Sequence, residues 1–351
     1  MKLNQLGFEY RNASIGLKEA CDGFNYARVT AVDRGSCMVH DGNGEIQAEV
    51  SGRLTFSIED PAELPCVGDW VLIRHYNEQS AAIIHQVLPR RTMLQRKMAG
   101  VGSGRQMIAA NLDTAFIVQS CQYDFNPKRL ERTLVMVAEG GIEAVVLLTK
   151  TDLVAPDELA RLLAVVGNAT NASVVALSNL TGQGLDDVRR LILPGRTCCL
   201  LGSSGVGKTT LTNLLLGREA FKTAGVSGTG EGTHTTTRRQ LILLKGGGLL
   251  IDTPGMREFG MTGAEAGLEA TFDELASLAG LCRFADCTHL NEPGCAVQAA
   301  LKRSELSPQR YENYLKLRKE SEHFAQSSLE RRKKDRAFGR HLKLSKKLMD
   351  K

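Results

Sequence analysis

The chain has 351 residues, 42% of them hydrophobic and 24% charged, with a net charge of +5. That balance belongs to a folded globular protein, and the length predicts two or three domains rather than one. No apolar run approaches the roughly 20 residues that a membrane helix needs. The opening MKLNQLGFEYRN also lacks the basic and apolar blocks of an export signal, so a cytoplasmic protein is expected. Nine cysteines, an odd number, argue against a disulfide framework. Cys21, Cys37, Cys66, Cys121, Cys198 and Cys199 stand mostly among apolar neighbours and read as buried thiols. Lys302–Lys351 holds 16 Lys/Arg against 7 Asp/Glu, a net of +9, so the rest of the chain sums to −4.

In chain order, residues 1–23 read as an N-terminal extension. Residues 24–90 contain five short stretches of strand character: ARVTAV, SCMVH, GEIQAEVSG, DWVLIRHY and AAIIHQVLP. Asp41-Gly42-Asn43-Gly44 is a hairpin signal between two of them. This pattern predicts a small barrel of OB type, although another small barrel or a sandwich would carry it too. Residues 91–108 are basic and contain glycine, and read as a linker. From 109 to 262 apolar stretches (DTAFIVQS, EAVVLLTK, ASVVALS, RTCCLLG, RRQLILLKG, GGLLIDTPG) alternate with amphipathic ones such as PKRLERTLVMVAEGG and APDELARLLAVVG. Such alternation predicts a parallel sheet with helices on both faces. Residues 263–329 read as helical around a Cys/His cluster. Residues 330–351, with 10 basic and 3 acidic side chains, read as a basic tail.

Gly202-Ser203-Ser204-Gly205-Val206-Gly207-Lys208-Thr209 matches G-x-x-x-x-G-K-[ST], follows an apolar strand and opens a helix that Thr210 continues. Glycines let backbone N–H groups curl around phosphates, Lys208 neutralises the β- and γ-phosphates, and the Thr209 hydroxyl is a Mg²⁺ ligand. Thr149-Lys150-Thr151-Asp152 matches [NT]-K-x-D at a strand end. The Asp152 carboxylate is suited to the N1–H and N2 amino group of guanine, which adenine cannot offer. Lys150 packs its stem on the base, and Thr149 stands where a side chain props the loop. Ser178-Asn179 ends the next strand, where a backbone amide would donate to guanine O6. Asp252-Thr253-Pro254-Gly255 matches D-x-x-G, with Asp252 reaching Mg²⁺ through water and the Gly255 amide meeting the γ-phosphate. The polar GVSGTGEGTHTTT between the two motifs suits a switch loop, with Thr236 as the third Mg²⁺ ligand. Met256 follows Gly255 and cannot position water, so His234 or a partner must do so; His234 exposed in a loop without a role is the alternative.

The base-reading motifs precede the phosphate loop, which makes the domain circularly permuted. A sheet tolerates this, because its contacts do not depend on where the chain is cut. The permutation also sets DTPG directly before the Cys/His region. There Cys282-x4-Cys287-x-His289-x5-Cys295 offers three thiolates and an imidazole, a closed tetrahedral set for structural zinc. Iron–sulfur ligation or unrelated cysteines are the alternatives.

The chain resembles the circularly permuted, ribosome small-subunit-dependent GTPases over nearly its full length. The resemblance is carried by ANLDTAFIV, DFNPKRLER, TKTDL, GSSGVGKTTLTN, GTHTTT, DTPGMREF and CRFADCTHLNEPGCAV. It implies an N-terminal OB-fold, a central permuted GTPase and a C-terminal zinc domain. It also implies late maturation of the small ribosomal subunit, with hydrolysis stimulated by that subunit, and a hydrophobic residue where Met256 stands. Thr233 replaces the family's basic residue before H-T-T-T. Two rival expectations stand beside this one: an RNA-binding module in which GTP only selects a conformation, and a GTPase with a non-ribosomal RNA target. A monomer is the default.

Overall fold

The computed structural model describes residues 2–8, 23–33, 36–58, 60–78, 80–98, 104–221, 239–253 and 263–325. The chain divides into two compact units, residues 1–95 with 107–259, and residues 96–106 with 260–351.

The first unit begins with a five-stranded barrel of OB type: β1 (Asn25–Val32), β2 (Cys37–His40), β3 (Glu45–Val50), β4 (Trp70–Tyr76) and β5 (Ala81–Val87). β1 pairs with β2 and β4, β2 with β3, β3 with β5 in parallel, and β5 with β4, so the ring closes and leaves no free edge. On β3 the exposed Glu45, Gln47 and Glu49 alternate with buried Ile46 and Ala48, the period-2 pattern of a strand with one wet face. GEIQAEVSG is strand only to Val50: the Ser51 side chain accepts from the Leu54 amide and caps a short helix, α1 (Gly52–Ser57).

Residues 91–108, expected as a linker, instead hold most of a two-stranded sheet, β6 (Met93–Lys97) with β7 (Arg105–Ala110). The reason is burial: Leu94, Ile108, Ala109 and Ala110 are all fully buried. After β7 come β8 (Thr114–Ser120), α2 (Pro127–Glu139), β9 (Glu143–Thr149), α3 (Pro156–Ala169), β10 (Ser173–Ala176), α4 (Leu185–Leu191), β11 (Thr197–Leu201), α5 (Lys208–Leu216), β12 (Gln240–Leu243) and β13 (Leu249–Asp252). β10, β9, β8, β11 and β13 run parallel in that order. β8 and β11 are apolar and buried on both faces, as strands covered by helices must be. β12 departs from the expected parallel sheet. It pairs antiparallel with β13, because only Leu244–Gly248 separate them and a parallel crossover needs a dozen residues or more.

The barrel and this sheet are one continuous eleven-stranded surface, joined where Ala31 of β1 meets Gln240 of β12. Buried Arg28 reinforces the joint. Its guanidinium donates to the Leu6 carbonyl, to Gly68 O at 3.3 Å and to Thr197 Oγ1 at 2.8 Å, and lies 5.4 Å from the Trp70 ring centroid. Leu6, in a short 3₁₀ turn of the N-terminal segment, packs with Trp70, Leu88 and Leu249 beneath the same joint.

The second unit contains α6 (Glu265–Thr271), α7 (Asp273–Ala279), α8 (Ala296–Lys302) and a helix, α9, over 308–325. Arg310 of α9 pairs with Glu274, donates to Thr271 O at 2.8 Å and stacks 4.9 Å from the Phe272 ring centroid. Among the described residues no helix is long and apolar enough to cross a membrane. Cys37, Cys66, Cys121, Cys198 and Cys199 are buried and free, and Cys21 lies outside the described residues.

Candidate functional site

β11 lies between β8 and β13, where the sheet's chain order reverses, and its carboxyl end opens into Gly202–Gly207. Crevices at such points are where open α/β sheets bind ligands. Glycine is required here for definite reasons. At Gly202 an added Cβ would lie 2.4 Å from the Val118 carbonyl, and Gly207 has φ +96° with Asn179 Nδ2 2.7 Å from where a Cβ would sit. Lys208 Nζ donates to Gly202 O at 2.8 Å and Ser203 O at 2.5 Å, leaving the third of its three hydrogens for a ligand. Burial pulls the Lys208 ammonium down to about 8, while the carboxylates of Asp252 and Asp124 pull the other way. Burial also raises Asp252 above the usual carboxylate range, against the opposing charge of Lys208. Both groups are therefore partly buried charges, placed where added charge is felt strongly. Thr209 is exposed in the first turn of α5, and Thr253 Oγ1 donates to Leu200 O at 2.9 Å, fixing the start of DTPG.

The loops after β9 and β10 are tied to this cradle. Thr149 Oγ1 donates to Val206 O at 2.7 Å, and Asn179 Nδ2 donates to Gly207 O at 3.0 Å. Lys150 holds the left-handed conformation (φ 59°), which turns the chain so that Asp152 faces the next loop. Ser178 Oγ donates to Asp152 Oδ1 at 2.5 Å and accepts from the amides of Leu180 and Thr181. The Ser178 amide is already spent on Gln183 O at 3.0 Å, so of the Ser178-Asn179 pair it is not the free donor. The structure thus brings together Thr149, Lys150, Asp152, Ser178, Asn179, Gly202–Thr210 and Asp252. His234, Thr236, Gly255, Met256 and the basic tail lie outside the described residues.

Sequence reasoning missed Asp124. It sits in the loop after β8, accepts from Ser203 Oγ of the phosphate loop, and pairs with Arg129 Nη2 at 2.8 Å. The only signal was its place in DFNPKRLER, which says nothing about a contact made 79 residues further along.

In the second unit Cys282, Cys287, His289 and Cys295 bring their ligand atoms within 4.8 Å of one another. His289 Nδ1 is 3.6 Å from Cys282 Sγ and 3.7 Å from Cys295 Sγ, and those two sulfurs are 3.9 Å apart. A tetrahedral ion bonded at about 2.3 Å to sulfur and about 2.0 Å to nitrogen separates its ligands by about 3.5–3.8 Å. The cluster therefore fits one metal ion. His289 (φ 65°) is held in place by Gln298 Nε2 and Tyr311 Oη, which donate to its carbonyl at 2.6 and 2.7 Å.

The sequence profile of the RsgA GTPase family matches residues 87–262. A small ribosomal subunit biogenesis GTPase RsgA of Opitutus terrae is 41% identical over 93% of this chain and 91% of its own length. That of Xanthomonas oryzae pv. oryzae is 47% identical over 74% of this chain and 70% of its own. Among solved structures, YjeQ from Thermotoga maritima superposes with a TM-score of 0.64 at 25% identity, covering 85% of this chain and 98% of that one. YloQ, a circularly permuted GTPase, gives 0.61 at 23% identity, covering 88% and 98%, and shares the fold.

Proposed function

Because the chain belongs to the RsgA GTPase family and is a GTP hydrolase, we propose that it acts in late maturation of the small ribosomal subunit, binding it with GTP and leaving after stimulated hydrolysis. The observation that carries the nucleotide assignment is the pair of ties from the base loops to the phosphate loop, Thr149 to Val206 and Asn179 to Gly207. They join the loops that carry Asp152, a carboxylate suited to guanine, and Ser178 to the phosphate loop, which supports a purine triphosphate spanning the two.

In this reading Asp152, oriented by Ser178, accepts from guanine N1–H and the N2 amino group, Lys150 packs on the base, and the Asn179 amide donates to O6. The amides of Gly202–Thr210 wrap the phosphates and Lys208 neutralises them as charge develops on the leaving oxygen. Thr209, Asp252 and Thr236 would hold Mg²⁺, which would supply neutralising charge to the phosphates. The Gly255 amide meets the γ-phosphate, and His234 or the partner orients the attacking water. Cys282, Cys287, His289 and Cys295 hold one structural zinc, because three thiolates with one imidazole leave no open position.

Charge supports a division of labour in RNA contact. Residues 24–90 carry nine Asp/Glu against five Arg, whereas Lys302–Lys351 is net +9. Phosphate contacts therefore belong to the C-terminal region rather than to the barrel. The protein works as a cytoplasmic monomer. Cosedimentation with isolated small subunits tests the reading: binding with a non-hydrolysable GTP analogue and loss with GDP support it. Equal binding in both states would favour a module that does not use GTP as a switch, and no binding would point to another RNA.

A further inference from the structure

The loop between β8 and α2 carries none of the nucleotide motifs, yet it is built with unusual care. The Gln119 side chain accepts from the Asn126 amide at 3.2 Å, and Ser120 Oγ donates to Gln122 O at 2.7 Å. The Cys121 amide donates to Thr149 O at 2.9 Å, joining this loop to the base-reading one. Asn126 caps α2 by accepting from the Arg129 amide at 3.0 Å. Within this frame Tyr123 lies in the left-handed region at φ 64° and is 93% exposed. A bulky residue rarely adopts that conformation, and it persists only where the surroundings dictate it. The strained residue directly precedes Asp124, whose carboxylate takes the Ser203 hydroxyl on one oxygen and Arg129 on the other.

We propose that Asp124 is a positioning residue of the phosphate site: held by Arg129 and by the strained turn at Tyr123, it fixes Ser203 and so preorganises the cradle around Lys208. The proposal rests on the GTPase reading above. Ser203 supplies one of the two carbonyls that Lys208 grips. Its side chain and its carbonyl are therefore anchored to opposite partners, and the loop cannot rotate about that residue without breaking one of them. A charge-assisted hydrogen bond of this kind is among the stronger single ties a loop can have. Asp124 acts on the cradle through its bond to Ser203, and its charge also favours the Lys208 ammonium.

The test is a double-mutant cycle on the full chain, with Asp124→Ala, Ser203→Ala and the combined variant, and with Asp124→Asn, which keeps an acceptor. Affinities are measured for GTP, GDP, inorganic pyrophosphate and ITP, alongside steady-state KM and kcat. Each alanine variant should weaken GTP, GDP and pyrophosphate alike by about tenfold. The combined variant should be no worse than either single one, and the GTP/ITP ratio should not move. KM should rise with little change in kcat, and Asp124→Asn should recover most of the loss. Additive losses in the cycle, or a normal KM in Asp124→Ala, would overturn the proposal. Should Asp124→Ala fail to fold, Ser203→Ala against Ser203→Thr still decides it, since only the threonine keeps the hydroxyl: equal KM values for these two would overturn it as well. A wild-type protein that binds no GTP would instead overturn the reading on which the proposal rests.

Discussion

The phosphate loop is held by the protein around it. Thr149 and Asn179 grip the carbonyls of Val206 and Gly207, Lys208 folds back on those of Gly202 and Ser203, and the whole sits at the end of a buried strand. The Cys/His cluster has a slighter frame, Gln298 and Tyr311 on the His289 carbonyl and Cys295 at the start of α8. Between Cys282 and Cys295 the backbone forms turns and bends without a helix or strand, and four ligand atoms of like character face one another within 4.8 Å. Thiols and an imidazole brought this close gain little from one another, and a metal ion held by all four would supply the attraction that secondary structure supplies elsewhere. One site is preorganised before its ligand arrives, and the other is completed by it.

Removing each ligand should break the two regions unequally. Chelation, or Cys287→Ser, should have the largest effect, since structural zinc contributes about 10 kcal/mol or more to small metal domains. Hydrogen exchange should show residues 263–325 losing protection while β8, β9 and β11 keep theirs. Removing nucleotide should leave β8, β9 and β11 equally protected. Metal analysis should find one zinc per chain, and a zinc-free protein with an ordered second unit would reverse the comparison.

Lys208→Ala comes next. Loss of one preorganised cation at a developing charge lowers kcat by about 10²–10³. The fold should survive, because its frame is made by Thr149 and Asn179. Thr149→Ala tests that frame directly, and the loss of one buried hydrogen bond should raise KM for GTP several-fold, by about 1 kcal/mol. The smallest effect is on pH. Burial leaves Lys208 at about 8 in the free protein, and phosphate binding needs the ammonium, so affinity should fall as pH rises past that value and not below it. Calorimetry in buffers of different ionisation enthalpy should show proton uptake on binding above about 8.

Much of this was readable along the chain because each motif is local. G-x-x-x-x-G-K-[ST], [NT]-K-x-D and Cys-x4-Cys-x-His-x5-Cys each place their residues within one turn or loop, and the strand–helix alternation fixed which sheet edge carries them. What escaped depends on partners distant in sequence. The antiparallel pairing of β12 follows from its five-residue connection to β13, which is too short for a parallel crossover. The stretch at 91–108 looked like a linker because its strands are short, and only burial of Leu94 and Ile108 makes them a sheet. Whether the Ser178 or the Asn179 amide is left for the base depends on Gln183, and Asp124 depends on Ser203. The join of barrel and sheet through Arg28 has no sequence signal, since a lone arginine on an apolar strand reads as an edge or a surface residue.

The proposed guanine reading depends on Asp152, on the loop tied to the phosphate cradle by Thr149, and Asp152→Asn examines it most directly. An asparagine can still accept from N1–H, but it repels the N2 amino group of guanine and donates to the 2-oxo group of xanthine. GTP and XTP hydrolysis would be measured for wild type and variant, with and without small subunits. The account predicts that preference passes from GTP to XTP, with a change in the ratio of at least about a hundredfold. A variant that still prefers GTP would contradict it.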